Sequence, residues 1–346
     1  MKNRITVLLL LIVLTSACTQ TRATNNNFVK TAIDVGSQEQ AFTDNPPTDQ
    51  PIVIGGYTTK YTSRDISDTL FFITISKGGN ADFSGIEQLQ NTRSLRITLL
   101  DPMDVDFSPL RTLPNLNSLN LGGWVTAIPD LSDIPSLKIL QINSASLTSL
   151  NGIEKITSLE TLEITQNYVP LTDISAMRYL KNLKSFHFIN GYLTIDFSVF
   201  ADLPELEVIW LGGDGQVDLT GIGQAKTIEK LRLWSNVSKI VDERTVYKNI
   251  AEIGKMTGLR ELYLDESISS VEFLAGNVNL ERLELIADQE RSDYWEVLLP
   301  LDVNPLGNLT KLKYLAIRGF ELTNANVLEN LPELENFSTR LYDGDH

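Results

Sequence analysis

Thiol and imidazole groups are nearly absent from this chain: its 346 residues include one cysteine, Cys18, and two histidines, His187 and His346. A single thiol excludes an internal disulfide framework and any cysteine-built metal cluster. Two histidines leave metal ligation and histidine acid–base catalysis with almost no supply. Positive charge is also scarce, with 29 Lys and Arg against 44 Asp and Glu, a net of −15. A surface of that sign repels phosphate backbones and anionic headgroups, which argues against nucleic acid as a partner. The longest apolar-rich run, Ile5 to Leu14, is half the ~20 residues needed to cross a bilayer. No Gly-rich phosphate loop, Walker-type Lys-Ser/Thr, HExxH or CxxC occurs. Asp173, Asp214 and Asp288 lack the spacing of a calcium loop, and Gly212-Gly213-Asp214-Gly215 reads as a tight turn. No catalytic set, metal site or cofactor is expected, and the chain reads as a non-enzyme.

What is present begins with the N-terminus. Lys2 and Arg4 precede the Ile5–Leu14 run, the layout of a secretion signal over residues 1–17. Leu14-Thr15-Ser16-Ala17-Cys18 resembles a bacterial lipobox, which implies lipidation of Cys18. Leu14 stands four residues before the cysteine where three is usual, so plain cleavage after Ala17 is the other reading. Acyl chains at ~0.8 kcal/mol per buried CH₂ make a firm anchor, and they would be the only contact with a membrane. Loss of residues 1–17 removes two cations, leaving 27 positive against 44 negative charges and a net of −17. Residues 18–50, rich in Thr, Asn, Gln, Asp and Pro, read as a flexible tether. Residues 51–346 read as the folded domain, opened by a capping strand at Ile52-Val53-Ile54.

Within that domain one phrase returns twelve times: an apolar residue, two of any kind, then apolar-x-apolar. Clean copies include Leu70-x-x-Ile73-x-Ile75, Leu159-x-x-Leu162-x-Ile164 and Leu312-x-x-Leu315-x-Ile317; Thr92-x-x-Leu95-x-Ile97 and Leu334-x-x-Phe337-x-Thr339 are degraded. The fourth position falls at residues 73, 95, 119, 140, 162, 186, 209, 231, 262, 283, 315 and 337, in steps of 21 to 24 except for 31 and 32 near the end. A period this regular predicts a solenoid whose repeats bury their apolar faces only against each other. Between phrases the apolar residues recur every third position, as in Leu147, Leu150, Ile153, Ile156 and Leu159. That spacing suits 3₁₀ turns better than α-helix. The expected fold is an α/β solenoid: a curved arc with a parallel concave sheet of twelve strands and mainly 3₁₀ turns on the convex side. At about 4.8 Å per strand the sheet would run ~50 Å. In the 31-residue step, Val246, Ile250 and Ile253 fall on one helical face and predict an α-helix over 242–253. The 32-residue step holds the Asp288–Pro305 loop with Tyr294-Trp295, placed at the rim or tucked against the flank.

The strand phrase and the segments Val105-Asp106-Phe107-Ser108-Pro109-Leu110, Leu171-Thr172-Asp173-Ile174-Ser175-Ala176-Met177 and Val303-Asn304-Pro305-Leu306 resemble leucine-rich repeats of the bacterial internalin type. The resemblance covers about residues 66–341. It implies recognition of a protein, often a host protein, through the concave strand face. The family's Asn, three residues after the second strand apolar, survives as Asn167 and Asn236; Trp124, Ala145, Gly191, Asp214, Ser267, Asp288 and Phe320 replace it elsewhere. With no wall-sorting or immunoglobulin-like module following, attachment is expected through Cys18.

Strand alternation sends the third, fifth and seventh positions to the concave face. The fifth positions read Thr74, Arg96, Asn120, Gln141, Glu163, His187, Trp210, Arg232, Tyr263, Glu284, Ala316 and Ser338. His187, Trp210, Arg232 and Tyr263 are consecutive, Trp234 sits beside Arg232 at a seventh position, and Arg282, Tyr314 and Arg318 extend the patch. Trp, Tyr and Arg dominate interface hot spots, so His187, Trp210, Arg232, Trp234, Tyr263, Arg282 and Tyr314 are the candidate partner-binding residues. Cross-strand stacking for mutual protection is the alternative, and an aromatic platform for carbohydrate is a minor one. His187 beside Glu163 reads as a surface histidine, since no nucleophile accompanies it. The sequence therefore points to an exported, lipid-anchored protein-binding module at the cell surface or outer membrane, an adhesin or host-interaction protein. A periplasmic or envelope scaffold is the runner-up.

Overall fold

The structure is a computed structural model that describes residues 31–35, 51–54, 57–62, 70–75, 83–144, 146–167, 169–189, 193, 195–213, 216–235, 246–265, 268–287 and 298–339. Cys18, Lys77, Asn236, Glu266, Tyr294, Trp295, Arg340 and His346 lie outside them, as does residue 1–17 as a whole.

Thirteen parallel strands form one sheet. In spatial order they are Thr31–Val35, Leu70–Ile75, Ser94–Leu99, Ser118–Gly123, Ile139–Ser144, Thr161–Thr165, Ser185–Ile189, Val208–Gly213, Lys230–Ser235, Glu261–Asp265, Arg282–Ile286, Tyr314–Arg318 and Asn336–Ser338. The repeat phrase sets the register: Leu119 pairs with Leu140, Leu140 with Leu162, Leu162 with Phe186, and Phe186 with Ile209. Because strand side chains alternate, one apolar pair per strand points to the same side in every rung. Leu162 and Ile164 are fully buried while Thr161, Glu163 and Thr165 are not. Each such leucine contributes about 2 kcal/mol by leaving water.

The period-three residues behave as expected. Leu147, Leu150, Ile153, Ile156 and Leu159 are all buried, around a 3₁₀ turn at Ile153–Lys155. Every helical segment among the described residues is 3₁₀. Aspartates open many of the turns on this side, 3₁₀ segments after Asp106, Asp173, Asp196 and Asp218 and a simple turn after Asp130; each accepts the backbone N–H two residues on. Those bonds, with the Ser or Thr hydroxyl, hold each carboxyl below the ordinary aspartate value. They place part of the acid excess on the turn flank, away from the strands. Asn167 is fully buried; its Oδ1 accepts Leu147 N–H at 2.7 Å, and its Nδ2 donates to the carbonyls of Leu147 and Val169 at 2.6 and 2.8 Å.

Several expectations are corrected. In the first repeat Phe71 pairs with Leu95 and Ile73 with Ile97, so the phrase is offset by two residues from Leu70-x-x-Ile73-x-Ile75. A two-residue slip keeps every side chain on its face, which is why hydrophobic pattern alone does not detect it. Phe72, not Thr74, begins the concave row, with the Arg96 guanidinium 5.4 Å above its ring. Ile52-Val53-Ile54 adds no strand to the sheet: Pro51–Ile54 pairs antiparallel with Tyr57–Thr62, and buried Ile54 joins the core end. The sheet edge is instead Thr31–Val35, inside the segment expected to be tether. Of the helix expected over 242–253, the described part is a strand, Val246–Lys248, and a 3₁₀ turn, Ile250–Lys255. Asn249 between them has φ 57°, left-handed backbone that no α-helix contains. Both long repeats pair a short flank strand with an ordinary-length neighbour. Val246–Lys248 pairs with Gln216–Asp218, and Leu299–Asp302, part of the Asp288–Pro305 loop, pairs with Phe320–Thr323.

Candidate concave binding groove

Glu163, His187, Trp210, Arg232, Tyr263 and Glu284 occupy six successive rungs of one row, each opposite the next in register. The rings pack closely. His187 and Trp210 stack with centroids 4.2 Å apart and planes 9° from parallel, and Trp210 meets Trp234 edge-on at 6.5 Å. The Arg232 guanidinium carbon lies 4.4 Å from the Tyr263 ring centroid, 5.1 Å from Trp234 and 5.8 Å from Trp210. Arg282 covers Tyr314 at 3.9 Å. The stacking alternative is therefore real as geometry, yet it does not close the surface. Trp210, Trp234 and Tyr263 stay half-buried and Arg232 exposed, around an open groove of about 520 Å³. His187, Trp210, Arg232, Tyr263 and Arg282 line it together with Ser185, Val208, Lys230, Glu261 and Glu284, while Trp234 and Tyr314 stand beside it.

Glycine explains where Trp234 lies. Gly212 is opposite it in register, and a methyl at Gly212 would collide with Cε2 and Nε1 of the indole. Gly212 and Gly213 are thus strand residues of Val208–Gly213, correcting the tight turn expected there; Gly212 is the seat of an aromatic ring. Tyr247, on the flank strand of the long repeat, is buried with its hydroxyl 2.9 Å from the Leu211 carbonyl and 3.0 Å from that of Trp234. It pins the backbone beneath the groove.

A polar chain runs into the row from the N-terminal side. Asn120 Nδ2 donates to Gln141 Oε1 at 3.0 Å, and Gln141 Nε2 donates to Glu163 Oε2 at 3.0 Å. His187 Nδ1 lies 3.9 Å from Glu163 Oε2, longer than a hydrogen bond, while its Nε2 is 2.7 Å from Ser185 Oγ. His187 first, then Gln141, hold the Glu163 carboxyl below its ordinary value against the opposing effect of burial. Burial, reinforced by Asp265, pushes the Tyr263 hydroxyl up.

With this geometry in view, known proteins are informative about fold. No family model matches the sequence, and no curated protein matches it. A solved leucine-rich-repeat protein of Leptospira interrogans is similar over 81% of this chain and 76% of its own, at 20% identity and a TM-score of 0.51. A TDR receptor is similar over 81% of this chain and 47% of its own, at 19% identity and a TM-score of 0.50. An internalin from Listeria monocytogenes aligns over 82% of this chain and 85% of its own, at 19% identity and a TM-score of 0.47. The fold is a leucine-rich-repeat arc.

Four carboxylate or imidazole groups are present at the groove, but His187, Glu163 and Glu284 lie in a line along the rungs and Glu261 is paired with Lys230, so they do not converge on one reacting atom. Among the described residues, no three His, Cys, Asp or Glu side chains are placed to hold a metal ion. No described helix is long and apolar enough to cross a membrane. Sequence reasoning overlooked Ser185, Gly212 and Tyr247. Gly212 was detectable, because a glycine stands at Trp234's own strand position in the neighbouring repeat. Tyr247 was hidden by the helix reading of its segment.

Proposed function

We propose that this protein is an exported, lipid-anchored binding module, tethered through Cys18, that grips a partner protein in its concave groove as an adhesin or host-interaction protein. The observation that carries the reading is the half-buried aromatic set, His187, Trp210, Trp234 and Tyr263, clustered at an open groove on the strand face. An indole left half-exposed costs solvation free energy, and a partner that covers it recovers about 2 kcal/mol or more per hot-spot ring. The groove mixes Lys230, Arg232 and Arg282 with Glu261 and Glu284, the balance suited to a protein surface and not to a polyanion. The lipobox-like segment supports envelope attachment.

The test has two arms. A partner captured from host extract is titrated against the wild type, Trp210→Ala and Trp234→Ala; each variant is expected to lose about 30-fold in affinity or more with its urea midpoint little changed. Unchanged affinity in both variants defeats the groove as the binding surface. Protease treatment of intact cells is expected to remove the domain, and Cys18→Ala to abolish incorporation of a labelled fatty acid. Full protection from protease favours the scaffold reading instead.

A further inference from the structure

The charges of the groove cancel with one exception. Lys230 Nζ is 2.7 Å from Glu261 Oε1, and Arg282 donates from both Nε and Nη2 to Glu284 Oε1 at 2.9 and 2.6 Å. Arg232 forms no ion pair with a carboxylate among the described residues; it lies over the faces of Trp210, Trp234 and Tyr263 and also hydrogen-bonds the Tyr263 side chain. The next carboxylate along its own row, Glu284, is two rungs away, roughly 9.6 Å at the spacing of a sheet. At His187, on the other side, Glu163 faces the imidazole. The groove therefore carries one uncompensated positive charge at its centre, framed by three rings.

We propose that Arg232 is the receptor for a single carboxylate, the side chain of an Asp or Glu in an extended segment of the partner protein. This deepens the proposed function and rests on it. Three physical points converge on that occupant. A guanidinium presents a planar fork that matches a carboxylate with two parallel hydrogen bonds. The ring faces hold the fork in place, so the rotamer entropy an arginine normally surrenders on binding is largely lost already in the free protein. The rings shield only the ring-facing side of this exposed guanidinium, so a charge pair there gains strength when the partner's apolar residues exclude the remaining water. Monovalence follows from the charge count. Lys230, Arg232 and Arg282 against Glu261 and Glu284 leave a lining of net +1, on a chain of net −15. One carboxylate neutralises that lining; a phosphate monoester would overshoot it and face Glu261 and Glu284. Trp210 and Tyr263, on the rungs either side of Arg232, are placed to cover apolar side chains flanking the acidic residue.

The experiment selects phage-displayed random dodecapeptides on the folded protein and measures the synthetic winners by calorimetry. Peptides are expected to share one Asp or Glu next to apolar residues. Replacing that acid by its amide is expected to weaken binding to the wild type about tenfold or more, and to change binding to Arg232→Gln little. Arg232→Lys, which keeps the charge but not the fork, is expected to fall between them. Urea midpoints verify that the variants are folded. Peptides that require Trp210 but have no acidic position, or that lose equally to both proteins on amide exchange, overturn the carboxylate assignment and leave the groove reading standing. Tighter binding when phosphoserine replaces the acid overturns it too. Peptides indifferent to Trp210→Ala, failure to select any peptide, or a Trp210-dependent dimer in sedimentation sink the peptide-binding groove along with it.

Discussion

Replacing Asn167 by alanine tests a polar side chain that the interior fully encloses. The side chain makes three hydrogen bonds to backbone groups around it: one accepted from Leu147 N–H, two donated to the Leu147 and Val169 carbonyls. Asn167 and Leu147 are both 0% exposed, so water does not replace the lost partner in the folded state. An orphaned buried N–H costs about 1–3 kcal/mol, and two carbonyls deprived of a donor add a smaller amount, for a total of about 3 kcal/mol. Asn182→Ala is the internal standard, since its Nδ2 donates only to the Thr157 carbonyl at 2.9 Å on an exposed flank; about 0.5–1 kcal/mol is expected there. Urea denaturation of both variants measures the difference. Each coil of a solenoid depends on its neighbours, so amide exchange at Leu147 is also expected to accelerate ahead of global unfolding. If Asn167→Ala costs no more than Asn182→Ala, the reasoning that internal asparagine bonds hold successive coils together is refuted.

Two further outcomes follow from the groove. Gly212→Ala is expected to leave the fold intact but drive the Trp234 indole off the strand, red-shifting tryptophan emission and weakening partner binding; an unchanged spectrum rules out the glycine seat. Glu163→Gln is expected to flatten the dependence of stability on pH. The Glu163 carboxyl titrates below its ordinary value in the folded protein, so its contribution is complete above the unfolded value of about 4.3 and is lost as pH falls through the folded one. The flank aspartates titrate in the same direction, so the comparison is wild type against variant between roughly pH 6 and 3. Parallel profiles would show that the His187 and Gln141 contacts do not stabilise the carboxylate.

Much of the site was legible before any coordinates, because a solenoid turns sequence period into spatial adjacency. Once Phe186, Ile209, Leu231 and Leu262 share a register position, His187, Trp210, Arg232 and Tyr263 must stand on neighbouring rungs. What stayed illegible depends on contacts that do not repeat. The helix over 242–253 failed because three apolar residues at helical spacing cannot reveal that Val246–Lys248 finds a strand partner in the previous coil. The first repeat's two-residue offset conserved every inside–outside assignment, and Thr31–Val35 has no apolar phrase to announce it.

Sequence alone determined the coil architecture and, beyond the first repeat, the composition of the concave row, since each coil buries its apolar pair only against its neighbours. Only the tertiary structure decided that Trp234 lies over Gly212, that Glu261 and Glu284 are already taken, and that Arg232 lies among rings with no carboxylate ion-paired to it among the described residues. Those are outcomes of side chains competing for neighbours across rungs, and the period that orders the backbone places no constraint on which of them pair.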